Sequence, residues 1–370
     1  MTPAKRSLAV YSSLVLAFAA SLIALGTPPR QAIAAVIVIA VQSATGAVWW
    51  AQVRSRNIGP IERAGMGLAL GTGAATISGA ILGQVVPDGL AWAAPTLLTI
   101  VIAFPVLLRR RALQRRARPT HASGAPLAPA VLALIAGGAL GVASIAVNVL
   151  KYPLNWVGSV TSYHQDMFFF EALATSITRF GPSDTIFLAD GTIRYHWFTY
   201  AWAGQLSEAI GAGPFVVLTR VLPLTALVGT MLIAVFWTQR LTHGRGRWAP
   251  SLAVVLIVFG GYLGATYGTI LNFDSPSQQL ATVWMLGLSV ALLESTRARA
   301  TDGRRLHQWA GLGVIALFAA ASTGGKGSIG AVVIAAWAFT ALVGSVRRAE
   351  WAPRAWAAFL AASVGTGIVY

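Results

Sequence analysis

Two short stretches hold most of the reactive side chains of this sequence. The first reads Ser162-Tyr163-His164-Gln165-Asp166-Met167-Phe168-Phe169-Phe170-Glu171, and the second Arg194-Tyr195-His196-Trp197-Phe198-Thr199-Tyr200. Two later segments add Asp274, in Asn272-Phe273-Asp274-Ser275-Pro276-Ser277, and Lys326, in Thr323-Gly324-Gly325-Lys326-Gly327-Ser328. A carboxylate held partly away from water has a raised pKa and can act as a general base. Asp166 and Glu171 are the candidates for that chemistry. Arginine binds phosphate through two parallel N–H groups and lysine binds it as a point charge. Arg194, His196 and Lys326 are therefore read as phosphate-side groups, with Asp274, Tyr163 and His164 completing the substrate-binding set. Cysteine is absent, which excludes thiolate nucleophiles, thiolate metal sites and disulfides.

Each residue also has a plainer reading. Asp166 suits a first helical turn through the macrodipole, and Glu171 shares a polar helix face with Thr175 and Thr178. Asp274 before Ser-Pro has the character of a helix cap, and His196 beside Trp197 that of a membrane-interface residue. No cofactor is required by the sequence. A divalent metal is the one its donors allow, through His164, Asp166 and Asp274, but no spacing compels it. The run Gly324 to Ser328 lacks the spacing and the preceding strand of a nucleotide phosphate loop, and that reading is rejected.

The elements that must position these residues are membrane helices. Of 370 residues, 56% are hydrophobic and 10% charged, and the mean hydropathy is +0.68. Soluble domains carry about a quarter charged residues. Hydrophobic runs over 7–26, 32–51, 64–86, 91–108, 127–150, 214–236, 251–271, 280–296, 309–322, 328–345 and 355–370 make eleven candidate spans of an all-α polytopic membrane protein. The net charge of +16 does not indicate nucleic acid, because the arginines cluster in alternate connections. Lys5/Arg6, Arg54/Arg56/Arg63, Arg109 to Arg118, Arg240/Arg245/Arg247, Arg297 to Arg305 and Arg347/Arg348/Arg354 share one side, which the positive-inside rule assigns to the cytoplasm. The N-terminus then lies in the cytoplasm of a multi-pass cell-membrane protein, and the start at Met1 is a first span, not a removed signal. Lys326 falls outside, against the charge rule, so it has the weakest structural explanation of the set.

Between the fifth and sixth spans the loop 151–213 is long, polar and extracytoplasmic. Ser162 with Gln165 resembles a capping box opening a helix from Asp166 to Phe180, stopped by Gly181-Pro182. Met167, Phe170, Leu173, Ala174 and Ile177 form its apolar stripe. An Asp190-Gly191 hairpin over 186–195 follows. A second helix is expected from Tyr195 to Ile210, with Tyr195, Trp197, Phe198, Tyr200 and Trp202 at headgroup level. Both helices are expected to lie flat on the membrane interface. Residues 1–126 read as a four-span region with a basic linker, and 127–370 as the module that carries the site. The last run ends at Tyr370 after few residues, so the chain reads as part of a longer protein.

This layout resembles the GT-C superfamily of integral-membrane glycosyltransferases. The likeness lies in Tyr-His-Gln-Asp-Met-Phe-Phe-Phe-Glu, Arg-Tyr-His-Trp and Asp-Ser-Pro-Ser-Gln-Gln, and extends over 127–345. It implies transfer of a sugar from a polyprenyl-phosphate donor to an extracytoplasmic acceptor with inversion. Asp166 would be the base, and Arg194, His196 and Lys326 would neutralise the leaving phosphate. Many members carry two adjacent acids in the first loop, whereas Asp166 and Glu171 are five apart here. The competing reading is a polytopic transporter or lipid flippase, which tends to place ionisable residues near the bilayer midplane.

Overall fold

Glycines set how closely several helices of this chain meet. Within a bilayer the hydrophobic effect does not favour helix–helix contact, so association rests on close backbone approach and interhelical hydrogen bonds. The computed structural model describes residues 3–54, 58–83, 85–86, 90–103, 127–151, 153–154, 165–182, 193, 195–242, 246, 248–259, 275–297 and 305–369.

Among these residues there are helices and no strands. They are α1 (Pro3–Ala24), α2 (Pro29–Val53), α3 (Pro60–Leu82), the short α4 (Ala94–Leu98) flanked by a 3₁₀ and a π turn, α5 (Leu127–Lys151), α6 (Gln165–Phe180), α7 (Phe198–Ile210), α8 (Pro214–Leu241), α9 (Ala249–Phe259), α10 (Pro276–Arg297), α11 (Arg305–Gly325), α12 (Gly327–Val346) and α13 (Ala352–Gly367). Six of them, α2, α3, α5, α8, α10 and α12, are long and apolar enough to cross a membrane. The chain is a membrane protein. The expected hairpin over 186–195 lies outside the described residues, apart from Ile193 and Tyr195.

α3 is central. Gly67 and Gly71 on α3 face Gly46, Ser43 and Gln42 on α2, and a Cβ at Gly71 would overlap the Gln42 carbonyl. This is the small-residue contact that the glycine-rich third span implies. On its other faces α3 meets α7, α8, α10 and α11, where Trp284 Nε1 donates to Thr72 Oγ1 at 3.0 Å. The N-terminal spans therefore pack into the centre of the same bundle as the later ones.

The end of the bundle away from α6 and α7 is tied by charge. Arg54 Nε lies 3.1 Å from Glu62 Oε1, and its guanidinium also pairs with Glu294. Arg240 Nε reaches Glu294 Oε1 at 2.5 Å, and Trp50 Nε1 donates to Glu62 Oε1 at 3.1 Å. Four helices, α2, α3, α8 and α10, are thereby joined through two arginines and two glutamates. Sequence reading took Arg54 and Arg240 as topology signals alone.

Candidate functional site

α6 forms as its sequence dictates. Its first turn carries Asp166 and its last turn Arg179, both favourable to the helix dipole. Gly181 then takes φ 82, and Pro182 follows. The predicted stripe Met167, Phe170, Leu173, Ala174 and Ile177 is buried throughout. It packs on α7, closest at Gly204, where a Cβ would overlap Thr178 Oγ1 and lie 2.5 Å from the Ala174 carbonyl oxygen.

α7 departs from the expected interface helix. It begins at Phe198, ends at Gly211 with φ 65, and is enclosed by α2, α3, α6, α10 and α11. Tyr200, Ala201, Trp202, Ala203 and Leu206 are all no more than 1% exposed. The Trp202 indole donates to Gln42 Oε1 at 3.2 Å, near the middle of α2, and Gln31 on the same helix donates to the Gly211 carbonyl at 3.0 Å. Tyr200 and Trp202 thus pack inside protein and not against headgroups. Their polar atoms face protein partners, so aromatic content alone gave the wrong surroundings.

The seating of α7 brings the candidate residues together. Its start lies against α10, with Thr199 Oγ1 donating to the Ser277 carbonyl at 3.3 Å. It also lies against α11, where Gly324 fits onto the Phe198 ring and a Cβ would be 2.5 Å from it. Gly325 fits Trp284 in the same manner. The paired glycines before Lys326 therefore serve helix packing, as the rejected phosphate-loop reading leaves them free to do. Lys326 is the one residue between α11 and α12, with φ −154.

Tyr195 and His196 stand at this junction. Their rings stack at 3.8 Å between centroids, and Phe169 meets Tyr195 edge-on at 5.6 Å. Burial pushes the Tyr195 hydroxyl pKa up, a hydrogen bond with Tyr200 opposes this, and the nearby Asp166 charge raises it further. Burial, and then the charge of Lys326, lower His196 from 6.5 to about 4. Asp166, Tyr195, His196 and Lys326 thus lie within electrostatic reach of one another in sequence, Asp166 to Tyr195 and His196 to Lys326. The imidazole is neutral near pH 7, so His196 offers a hydrogen bond and not the positive charge expected of it.

Glu171 faces elsewhere. It accepts a hydrogen bond from the Phe215 N–H at the start of α8. Burial pushes its carboxyl above the usual range while that bond pulls it down. A carboxylate at a helix start satisfies a backbone donor that has no partner within the helix. Glu171 and Asp166 therefore occupy separate surroundings. Arg194, Asp274, Tyr163 and His164 lie outside the described residues. Among the described residues no group of three metal-binding side chains occurs.

Neither family models, curated proteins nor solved structures give a match to this chain.

The structure gives Tyr200 and Ser277 surroundings that motif reading did not. Tyr200 stacks on Phe170 at 5.0 Å and is fully buried beside Ser277, which is 1% exposed. The Tyr200 hydroxyl bonds with Tyr195 and Ser277, and burial raises its pKa, whereas His196 Nε2 is enclosed with no hydrogen-bond partner among the described residues. Buried polar atoms are nearly always paired, so the enclosed His196 Nε2 is the polar atom at this junction left open to a further partner. The sequence signal was present in Ser277 of Asp-Ser-Pro-Ser and in Tyr200, five residues after Tyr195. A π turn at Val217–Val221 carries Arg220, 1% exposed and donating to Thr219 Oγ1 at 2.5 Å, where it packs on α7 and α5.

The depressed His196 pKa makes a prediction with a definite sign. Between about 4 and 6.5 the unfolded chain binds a proton at this histidine that the folded chain does not. Stability is therefore intact above 6.5 and falls as pH drops toward 4. Thermal unfolding across that range should show a smaller acid-side loss in His196→Gln than in the wild type, and parallel curves would refute it.

Proposed function

We propose that this chain is an integral-membrane glycosyltransferase. It moves a sugar from a polyprenyl-phosphate donor to an acceptor hydroxyl on the extracytoplasmic face, with inversion. In this reading eleven spans cross the cell membrane and the N-terminus is cytoplasmic. The grouping of Asp166, Tyr195, His196 and Lys326, from three separate segments, is the observation that carries the reading.

Asp166 is exposed at the start of α6, where an acceptor can reach it. Its carboxylate takes the acceptor hydroxyl proton as that oxygen attacks the anomeric carbon. The bond from that carbon to the phosphate oxygen breaks, and the electron pair leaves with the lipid phosphate. Lys326 and Arg194 offset the charge left on the phosphate, and an arriving anion also raises the His196 pKa, strengthening its hydrogen bond. Glu171 keeps α8 docked against α6 and leaves the proton transfer to Asp166.

General-base catalysis contributes about 10²–10⁴-fold. Transfer of labelled sugar from a polyprenyl-phosphate donor, measured in membranes, should fall by that order in Asp166→Ala. The Glu171→Gln chain should keep more activity than Asp166→Ala. Equal transfer by wild type and Asp166→Ala would remove Asp166 from the mechanism.

A further inference from the structure

The turn between α12 and α13 holds a strained residue that the transfer chemistry does not use. Three backbone bonds close the end of α12. Arg347 N–H donates to the Val343 carbonyl at 3.0 Å, Arg348 N–H to Ser345 at 3.0 Å, and Ala349 N–H to Gly344 at 2.8 Å. Such a cap places one residue in the left-handed region, and glycine is usual there. Here it is Arg348, with φ 51, the only non-glycine residue of positive φ among those described. For an L residue this backbone is strained. A turn needed only for its shape would be better made with glycine, so the side chain has a use.

Arg348 is not alone. Arg347 and Arg348 are both exposed. Arg354, in the first turn of α13, sends Nη2 to the Glu350 carbonyl at 3.5 Å, while its Nη1 is enclosed with no hydrogen-bond partner. The one acid in the turn, Glu350, forms no ion pair among the described residues. This turn and the first turn of α13 therefore carry three arginines against one acid. Apolar ridges run away from them on both helices. Phe339, Leu342 and Val346 are 67%, 54% and 77% exposed on α12, and Trp356 and Leu360 are 38% and 58% exposed on α13. The Trp356 indole is fixed by donating to Ser345 Oγ at 2.9 Å.

A cationic head above two exposed apolar ridges complements one kind of molecule. We propose that the α12–α13 turn binds an anionic phospholipid. Its phosphate is held by Arg347, Arg348 and Arg354, and its acyl chains lie along Phe339–Leu342–Val346 and Trp356–Leu360. The arginine clustering places this turn in the cytoplasmic leaflet, whose anionic lipids attract such groups. The site is independent of glycosyl transfer.

The test uses the full chain in detergent, following thermal unfolding during titration with dioleoylphosphatidylglycerol, dioleoylphosphatidylcholine or inorganic phosphate. A ligand that binds only the folded state raises the melting temperature. Saturable stabilisation by phosphatidylglycerol is expected, with little from the other two. Arg348→Gly and Arg354→Gln should each weaken the apparent lipid affinity about tenfold, the loss of one phosphate contact worth roughly 1.4 kcal/mol. Without lipid, Arg348→Gly should melt no lower than wild type, because the strain is gone, so its loss of response is not misfolding. The proposal is overturned if both variants respond like wild type. It is equally overturned if phosphate alone reproduces the shift, or if Arg110→Gln with Arg111→Gln weakens binding as much, which would make the attraction diffuse.

Discussion

Replacing Glu294 with alanine should lower the stability of the folded chain by about 3–5 kcal/mol, the usual result of stranding a buried charge. Glu294 is the shared partner of Arg54 and Arg240, whose side chains are 7% and 25% exposed. Its loss removes the carboxylate that Arg240 meets and the one that Arg54 shares with it. Exposed ion pairs contribute little because water screens them, but this cluster is closed over by the ends of four helices. Denaturant unfolding of purified protein in micelles gives the measurement. Glu294→Gln, which keeps hydrogen-bond acceptance without the charge, should lose less than Glu294→Ala. A Glu294→Ala chain as stable as wild type would mean that the network is solvated.

The second large effect is steric. Gly71→Val should destabilise by about 3 kcal/mol, the upper part of the range for overpacking. The added Cβ would overlap the Gln42 carbonyl, and backbone cannot swing aside as a flexible side chain can. α2 and α3 must separate, which also draws Gln42 away from Trp202. Gly313→Ala is the matched control, since a Cβ there meets nothing within 4 Å. Alanine in a helix interior is better than glycine by roughly 0.5–1 kcal/mol, so this change should stabilise slightly. Equal effects from the two substitutions would remove close packing as the cause.

Much of this was legible in the sequence for local reasons. The apolar stripe of α6, its stop at Gly181-Pro182 and the left-handed Gly211 follow from residues a turn apart. The glycines of α3 announce a close neighbour. The meeting of His196 with Lys326 followed from charge counting, which put their loops on one side. What could not be read were contacts with distant partners. Trp202 looks the same in sequence whether it meets a headgroup or Gln42, and Glu171 gives no sign of Phe215. Glu62 and Glu294 offered a faint signal, as rare acids at span ends on an arginine-rich side. His196 looked like a cation because burial, which keeps it neutral, is a tertiary property.

The seating of α7 has a consequence for how the protein is made. Its walls come from α2 and α3, synthesised before it, and from α10 and α11, synthesised after it. Until α11 has been inserted, the cradle lacks the surface that receives Phe198 at Gly324. Residues 198–210 must therefore wait while more than a hundred further residues are made. Such long-range closure is slow and leaves apolar surface unprotected in the interval. The part of the chain that carries the candidate chemistry is thus completed late, and a protein stalled before α11 would have five of its six long apolar helices and no site.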